Sequence, residues 1–455
     1  MNSQPSWSKV PFALLSTLLA AGCATVPEQA LRERHDGIRE THYGPGDRAG
    51  PVAHPSALIE SSATLDAYMQ HAFRHNPRLR AAFDRWQAAL ERIPQARSLD
   101  DPTLTFEYFI DQMDTRYRLG ISQMFPAFGV LGLKEDRAAA EAQAAMHAFD
   151  AERFMLFDRV TDAFYEYHYL ARAIAVTEEN HRLLVDLEQA VDARYRSGAA
   201  SFADLIKVQV EKDRLADRLA ALQDQRRPQS AGLAALLNLP AEEPLPWPEF
   251  GTSGPATIDE TVLADMLADL NPELKAADAM IEAADYREEL ARRSGWPRFM
   301  AGAGWMIMPG MDGRGDESDI GLMAGITLPV WRSRYRAERR ETAALTQAVT
   351  QDRDTMRNRL RAELSMAVFQ FRDAERRIRL FQESLVPKAE QALEVARQAY
   401  SDGQTDFMTL IDAQRTLLEF QLMAERAVAD REIALGDIGC CVGLDPFDHK
   451  LETIP

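Results

Sequence analysis

YRSGAASFADLIKVQV at residues 195–210 and YSDGQTDFMTLIDAQR at 400–415 are one turn written twice. Tyr195 stands opposite Tyr400, Gly198 opposite Gly403, Phe202 opposite Phe407, Leu205 opposite Leu410, Ile206 opposite Ile411 and Gln209 opposite Gln414, each pair 205 positions apart. Both copies lie between strongly helical stretches. HNPRLRAA (75–82) and LNPELKAA (270–277) repeat with an offset of 195, and Pro102 and Pro297 share it, each opening a short β-like run. Pro126 and Pro329 close a second β-like run, offset by 203. The halves carry the same elements in the same order, a duplicated unit of roughly 180 residues and too long for a solenoid repeat.

The elements between these marks are long helices. In each turn glycine ends one helix, and Ser201 or Thr405 can start the next. Asn76 and Asn271 can cap, and Pro77 and Pro272 suit a first helical position. From Lys134 to Tyr195 the chain holds neither proline nor glycine, enough for a helix of about 93 Å. Arg334–Val386 is also free of both. Leu360, Leu364, Ala367, Phe371, Ala374, Ile378, Phe381 and Leu385 alternate steps of four and three, as do Phe157, Val160, Phe164, Tyr167, Ala171 and Ile174. A sustained period near 3.5 predicts coiled-coil-type packing.

The β-like runs follow another rule. In TLTFEYFI (103–110) Leu104, Phe106, Tyr108 and Ile110 share a face; in RYRLGISQM (116–124) Tyr117, Leu119 and Ile121 do. Phe299, Ala301, Ala303, Trp305 and Ile307 form such a face in the second half, and so do Ile320, Leu322, Ala324, Ile326 and Leu328. Four alternating segments in two hairpins match membrane-spanning barrel strands, although soluble amphipathic hairpins alternate in the same way. Four strands cannot close a barrel, whose smallest membrane form has about eight. Open edges are not tolerated in lipid. Strands of this kind can span a membrane only if several chains share one barrel.

The chain is 455 residues with 46% hydrophobic content and a net charge of −18, which argues against a nucleic-acid partner. VPFALLSTLLAAG (10–22) follows Lys9 and precedes Cys23. The run is too short to span a membrane and reads as a signal peptide over 1–22. Its end, Leu19-Ala20-Ala21-Gly22-Cys23, resembles a bacterial lipobox, with Cys23 as the lipid attachment point; the rival is an ordinary secreted protein with a chance cysteine. Residues 23–63, rich in proline and glycine, read as an extended N-terminal linker, 239–260 as a proline-rich connector and 444–455 as a tail. Cys440 and Cys441 are too close for an unstrained bridge and read as small apolar helix residues. MDGRGDESD (311–319) lacks calcium-loop spacing and reads as a polar loop. Met306, Met308 and Met311 cluster beside it, and methionine more often fills apolar space than binds Cu(I). No zinc, phosphate-loop or nucleophile motif is present, so no metal, cofactor or enzyme is expected.

Taken in order, the Asn-Pro starts, both glycine turns, the hairpins and the lipobox resemble the TolC-like outer-membrane efflux family from about residue 64 onward. ISQMFPAFG (121–129) is similar to the segment leaving the first hairpin in its heavy-metal-resistance branch. The resemblance implies a mainly α fold with membrane β-strands. Its repeats would be 64–238 (hairpin about 103–124) and 261–443 (hairpin about 298–328). A homotrimer would form a barrel of twelve strands, continued by a long periplasmic α-helical barrel. Tyr195, Gly198, Ser201, Tyr400, Gly403 and Thr405 would be hairpin tips that meet a periplasmic adaptor, itself joined to an inner-membrane pump of RND type. Family members often carry two acids beyond the second tip at the narrowest ring. Those places hold Thr409 and Asp412 here, so one acid matches, and Asp204 can add a second set. The function implied is a passive gated export duct in the outer membrane. The alternative is a non-channel periplasmic coiled-coil scaffold or adaptor lipoprotein; a secreted hydrolase is a weaker third. The exported substrate is not legible, because a wide duct touches its cargo little.

Overall fold

The computed structural model describes residues 26–43, 59, 62–110, 115, 117–242, 244–249, 258–309 and 316–444. Its first half runs α1 (Val26–His42), α2 (Leu65–His75), α3 (Pro77–Leu90), α4 (Arg92–Arg97), β1 (Thr103–Tyr108), β2 (Tyr117–Phe125), α5 (Val130–Arg196) and α6 (Phe202–Leu236). The second runs α7 (Glu260–Leu270), α8 (Pro272–Arg293), β3 (Arg298–Pro309), β4 (Asp316–Thr327), α9 (Arg332–Leu380), α10 (Val386–Ser401) and α11 (Phe407–Val442). Two compact units result, and each draws on both halves. One comprises 1–38, 87–142 and 282–343; the other comprises 39–86, 143–281 and 344–455.

The first unit holds the sheet, antiparallel in the order β1-β2-β3-β4. Its register sets Leu104, Ile121, Ala303 and Leu322 in one row and Phe106, Leu119, Trp305 and Ile320 in the next. Every large side chain in those rows is exposed. The opposite face carries Thr105, Gly120, Gly304 and Gly321, then Glu107, Arg118, Met306 and Asp319. One face is thus apolar and uncovered, and β1 and β4 are open edges. No helix among the described residues is long and apolar enough to cross a membrane.

Several expectations shift here. β4 starts at Asp316, so Asp316–Asp319 belong to a strand and not to the polar loop; residues 310–315, with Met311, lie outside the described residues. Met306 pairs with Asp319 across the strands, and cross-strand pairing supplies the backbone partners that a loop would lack. Within the supposed extended linker, 26–42 is helix α1. Pro27 falls in its first turn, where its missing N–H costs nothing, and the residues after it are good helix formers. Glu28 is buried and paired with Arg32 at 2.8 Å and Arg97 at 3.1 Å, which fixes α1 on α4. Cys23 lies outside the described residues.

In the second unit the helical stripes are core. Leu360, Leu364, Ala367, Phe371 and Ala374 are buried on α9, as are Phe157, Val160, Phe164 and Tyr167 on α5. Beyond Tyr167 the buried line leaves Ala171 and Ile174 and passes through Leu170, Ala173, Thr177, Asn180 and Leu184. There α5 packs with both α6 and α11, and two neighbours widen the buried band. The unbroken stretch after Arg334 contains a π-helical turn, Phe381–Leu385, just before Pro387. Proline cannot donate to the preceding turn, and one wider turn absorbs the mismatch. The first part of the connector is packed: Trp247 stacks on Tyr167 at 4.6 Å, and the Leu245 amide donates to Ser230 Oγ at 2.6 Å.

Each Asn-Pro step also ties the second unit together. Asn76 Oδ1 accepts from the Arg78 and Leu79 amides at 2.9 and 3.1 Å, while its Nδ2 donates to the Leu236 carbonyl at 2.8 Å. Asn271 repeats this, accepting from the Leu274 amide at 3.1 Å and donating to the Cys441 carbonyl at 2.8 Å. One amide therefore starts a helix and caps the last helix of the same half. Those last helices end alike, with Asn238 (φ 57°) and Gly443 (φ 80°) in the left-handed region. Glycine is required at 443, because a Cβ there would meet the Leu270 carbonyl at 3.0 Å and the Asn271 Cα at 3.1 Å. Replacing either Asn76 or Asn271 with Ala should cost about 1–3 kcal/mol, read as a lowered unfolding midpoint in detergent. Asn76→Asp keeps the capping acceptor but loses the donor, so it should also destabilise. A wild-type midpoint for Asn76→Asp would show that the Leu236 contact contributes nothing.

Candidate functional site

The two glycine turns lie in the second unit. At the first, the Gly198 amide donates to the Tyr195 carbonyl at 3.0 Å and the Ala199 amide to the Arg194 carbonyl at 2.8 Å. At the second, Gly403 donates to Tyr400 at 3.1 Å and Gln404 to Ala399 at 2.8 Å. Both are Schellman turns, with φ of 77° at Gly198 and 72° at Gly403. Nothing lies within 4 Å of a Cβ built at either. The requirement for glycine is conformational, not spatial.

The helices after the turns start by equivalent caps. Ser201 Oγ accepts from the Asp204 amide at 3.1 Å and Asp204 Oδ2 from the Ser201 amide at 3.3 Å, a capping box. In the second turn the cap is Asp406, not Thr405: its carboxylate accepts from the Thr409 amide at 2.9 Å and the Thr409 hydroxyl at 2.7 Å. Asp406, not Thr405, aligns with Ser201, and a carboxylate caps as well as a hydroxyl. Those bonds hold the Asp406 carboxyl below the usual range. Asp204 and Thr409 are therefore committed to capping.

The tips differ in exposure. Tyr195 packs on Phe202 and Tyr400 on Phe407, both at 5.7 Å between ring centres. The first pair is 41% and 58% exposed, whereas the second is 8% and 2% exposed. Val191, Leu205, Val208, Leu410 and Ile411 share the core around Tyr400 and Phe407. Arg194 donates to the Ser401 carbonyl and lies over the Tyr400 ring at 4.9 Å, so the first tip clamps the second.

Asp412 is exposed and lies 3.5 Å from Arg415. Arg415 is engaged mainly by Glu211, with Nε at 3.0 Å from one carboxylate oxygen and Nη2 on the other. This pair holds the guanidinium above its ordinary value and Glu211 below its own. Behind it opens a groove of about 830 Å³ that includes Arg214, Arg218, Arg415 and Arg426 in its lining. Further along the α5–α11 seam Asn180 donates to Gln421 at 2.8 Å and accepts from Gln414 at 3.1 Å. Arg172 pairs with Glu425 at 2.7 Å, and Arg426 with Glu166 at 2.7 Å and Asp430 at 2.6 Å.

One cluster escaped sequence reasoning. Carboxylate oxygens of Asp158, Asp162 and Asp437 lie within 4.8 Å of one another. Burial, then the charges of Asp437 and Asp162, push Asp158 up to about 8, with Arg159 opposing. Burial and the charges of Asp437 and Glu166 push Asp162 up to about 6, and burial also raises Asp437. Three carboxylates at this spacing could close on a divalent cation; a proton held by Asp158 and donated to Asp437 relieves the same repulsion. The only sequence signal was two acids four apart on the face of α5 that also carries Tyr165. Burial likewise pushes the Cys441 thiol up to about 12, consistent with an inert helix residue, and Cys440 and Cys441 are both free.

The sequence model of the family described as outer membrane efflux protein matches residues 68–239 and 263–438. The chain belongs to that family. Efflux proteins of this kind are structural channels rather than enzymes. The pyoverdine export outer membrane protein OpmQ of Pseudomonas putida KT2440 is 23% identical over 321 residues, 67% of this chain and 65% of that protein. The match thus spans under two thirds of the curated relative's length. The outer membrane protein VceC of Vibrio cholerae superposes with a TM-score of 0.70 at 20% identity, over 86% of this chain and 99% of that one. CusC, solved in a study of transmembrane channel formation, gives 0.71 at 16% identity, over 88% and 98%. These likenesses establish a TolC-like fold.

In this efflux protein the Asp158 cluster sets a pH dependence. An acid whose folded pKa is raised binds its proton more tightly in the folded state, so the stability it contributes is present at low pH and lost as pH rises toward about 8. Asp158→Asn should raise the melting temperature in detergent at pH 8 by on the order of 5 °C. The difference should close toward pH 4. A gap that persists at pH 4 would assign the effect to packing instead.

Proposed function

We propose that the protein is the outer-membrane duct of a tripartite efflux system: a trimer, lipid-anchored at Cys23, through which cargo diffuses while an inner-membrane RND-type pump and a periplasmic adaptor supply the drive. The observation that carries this reading is the sheet. Its apolar face is exposed along every strand and both of its edges are open, an arrangement stable only if lipid covers the face and further copies close the edges. Three copies of four strands give a closed barrel within the known size range.

The tips then serve as the adaptor contact. Only the first tip offers exposed aromatics; the second is core. Asp412 faces the duct as the acid of the narrowest ring, and Arg415 tempers its charge. Asp204 and Thr409 act by shaping the tips.

Purified protein should be trimeric in detergent and form channels in planar bilayers. A soluble monomer without detergent would overturn the barrel. Asp412→Ala should raise single-channel conductance and weaken block by multivalent cations, whereas Arg415→Ala should strengthen that block by releasing Asp412 and Glu211. Wild-type block in both variants would place the constriction elsewhere. Gly198→Val should impair efflux with trimer yield retained, and Gly198→Asn should be tolerated, because asparagine enters the left-handed region more readily. Cys23→Ser should abolish lipid labelling.

A further inference from the structure

The register gathers all the helix-connected strand ends at one side of the sheet: Thr103 lies beside Ser122, Phe125 beside Phe299 and Arg298 beside Thr327. Phe128, Trp296, Leu328, Val330 and Trp331 are all exposed there. Immediately after Trp331 comes RSRYRAERR (332–340), five arginines and one glutamate in a chain whose net charge is −18. Arg332, Arg334, Arg336 and Arg340 are exposed and make no ion pair among the described residues. Glu338, the acid in their midst, is hydrogen-bonded to Ser294 at 2.9 Å. Lys134 and Arg298 are likewise exposed and unpaired, and with Arg334, Trp296 and Tyr335 they line a cavity of about 320 Å³, where three basic residues outnumber the acidic Asp100 and Glu338.

The same helix treats its later arginines differently. Arg353 pairs with Asp278 at 2.9 Å, Arg359 with Glu273 at 2.6 Å and Arg377 with Asp430 at 2.6 Å. Most later arginines of α9 are paired, with Arg361 and Arg379 as isolated exceptions, whereas in its first turns the unpaired arginines stand together. The unpaired cations fall in two groups, Arg332, Arg336 and Arg340 along one face of α9 and Arg334 with Lys134 and Arg298 at the cavity, and within each group an anionic partner relieves the repulsion. Their interleaving with exposed tryptophans, continuous with the apolar face, sets the chemistry of that partner: anionic groups at a water–hydrocarbon boundary.

We propose that this end of the sheet is a seat for anionic phospholipid headgroups. Arg298, Arg334 and Lys134 would hold the phosphate in the cavity. Arg332, Arg336 and Arg340 would face the charged leaflet, and Trp296 and Trp331 would sit at the boundary where aromatic girdles form. Guanidinium groups suit phosphate because their paired N–H donors match its oxygens. The proposal rests on the reading of the sheet as membrane-spanning.

The test uses the full-length protein in nanodiscs of phosphatidylcholine alone or mixed with phosphatidylglycerol, with retained lipids counted by native mass spectrometry. An arginine close to an anionic surface is worth about fivefold in partitioning. Wild type should therefore enrich phosphatidylglycerol at least roughly tenfold over the bulk ratio. The variant R332Q/R334Q/R336Q/R340Q should return close to the bulk ratio. R227Q/R361Q/R379Q/R397Q, which loses the same charge elsewhere, should match wild type. Insertion into phosphatidylcholine alone should be equal for all three. Bulk-ratio retention by wild type, or wild-type enrichment in the first variant, overturns the lipid seat alone. Failure to enter either bilayer overturns the membrane-spanning reading and the seat with it.

Discussion

One side-chain amide in each half ties the start of a helix to the end of that half's last helix. Asn76 and Asn271 accept from the first turn of the helix they start, and donate to the last carbonyls of the helix that ends their half. A helix end offers carbonyls with no partner of their own, and asparagine caps with its amide oxygen while its amide nitrogen carries donors to reach them. Aspartate would start the helix but leave the far carbonyl unmet. The Asn-Pro pair therefore answers two needs with one residue.

Duplication gives both halves the same turns without giving them the same surroundings. The Schellman geometry, the αL glycine and the aromatic pair recur at both tips, since local backbone bonding dictates them. Arg194 then folds over Tyr400, and the second pair becomes core while the first stays in solvent. A docking contact can form only where apolar surface remains available. The asymmetry between two nearly identical motifs thus gives one to the core and leaves only the other with apolar surface for the proposed adaptor contact.

The sheet and the helices solve the problem of polar groups in opposite ways. Along α5, α9 and α11 charges are paired in series, and where three carboxylates meet at Asp158, Asp162 and Asp437 protonation removes the repulsion. On the sheet one face carries no polar side chain in its central rows. That face is unstable in water, and the proposed function covers it with lipid.

Much of this was legible in the residues. Periods of 2 and 3.5, the Asn-Pro steps and the glycine turns are local devices, so they identified the repeats, both hairpins and the tips without reference to neighbours. Local reading failed where composition misled. Pro27 and the glycines beyond residue 43 made 24–63 look extended, although 26–42 forms a helix, and Thr405 stood one place from the true cap. What only the tertiary structure decided is which residues distant in sequence meet: Asn76 with Leu236, Arg415 with Glu211, Asp158 with Asp437, and which of two equal aromatic pairs is buried. A period fixes the face a side chain occupies, because backbone geometry alone sets it. The partner on that face depends on how separate helices pack, and that is a property of the whole chain.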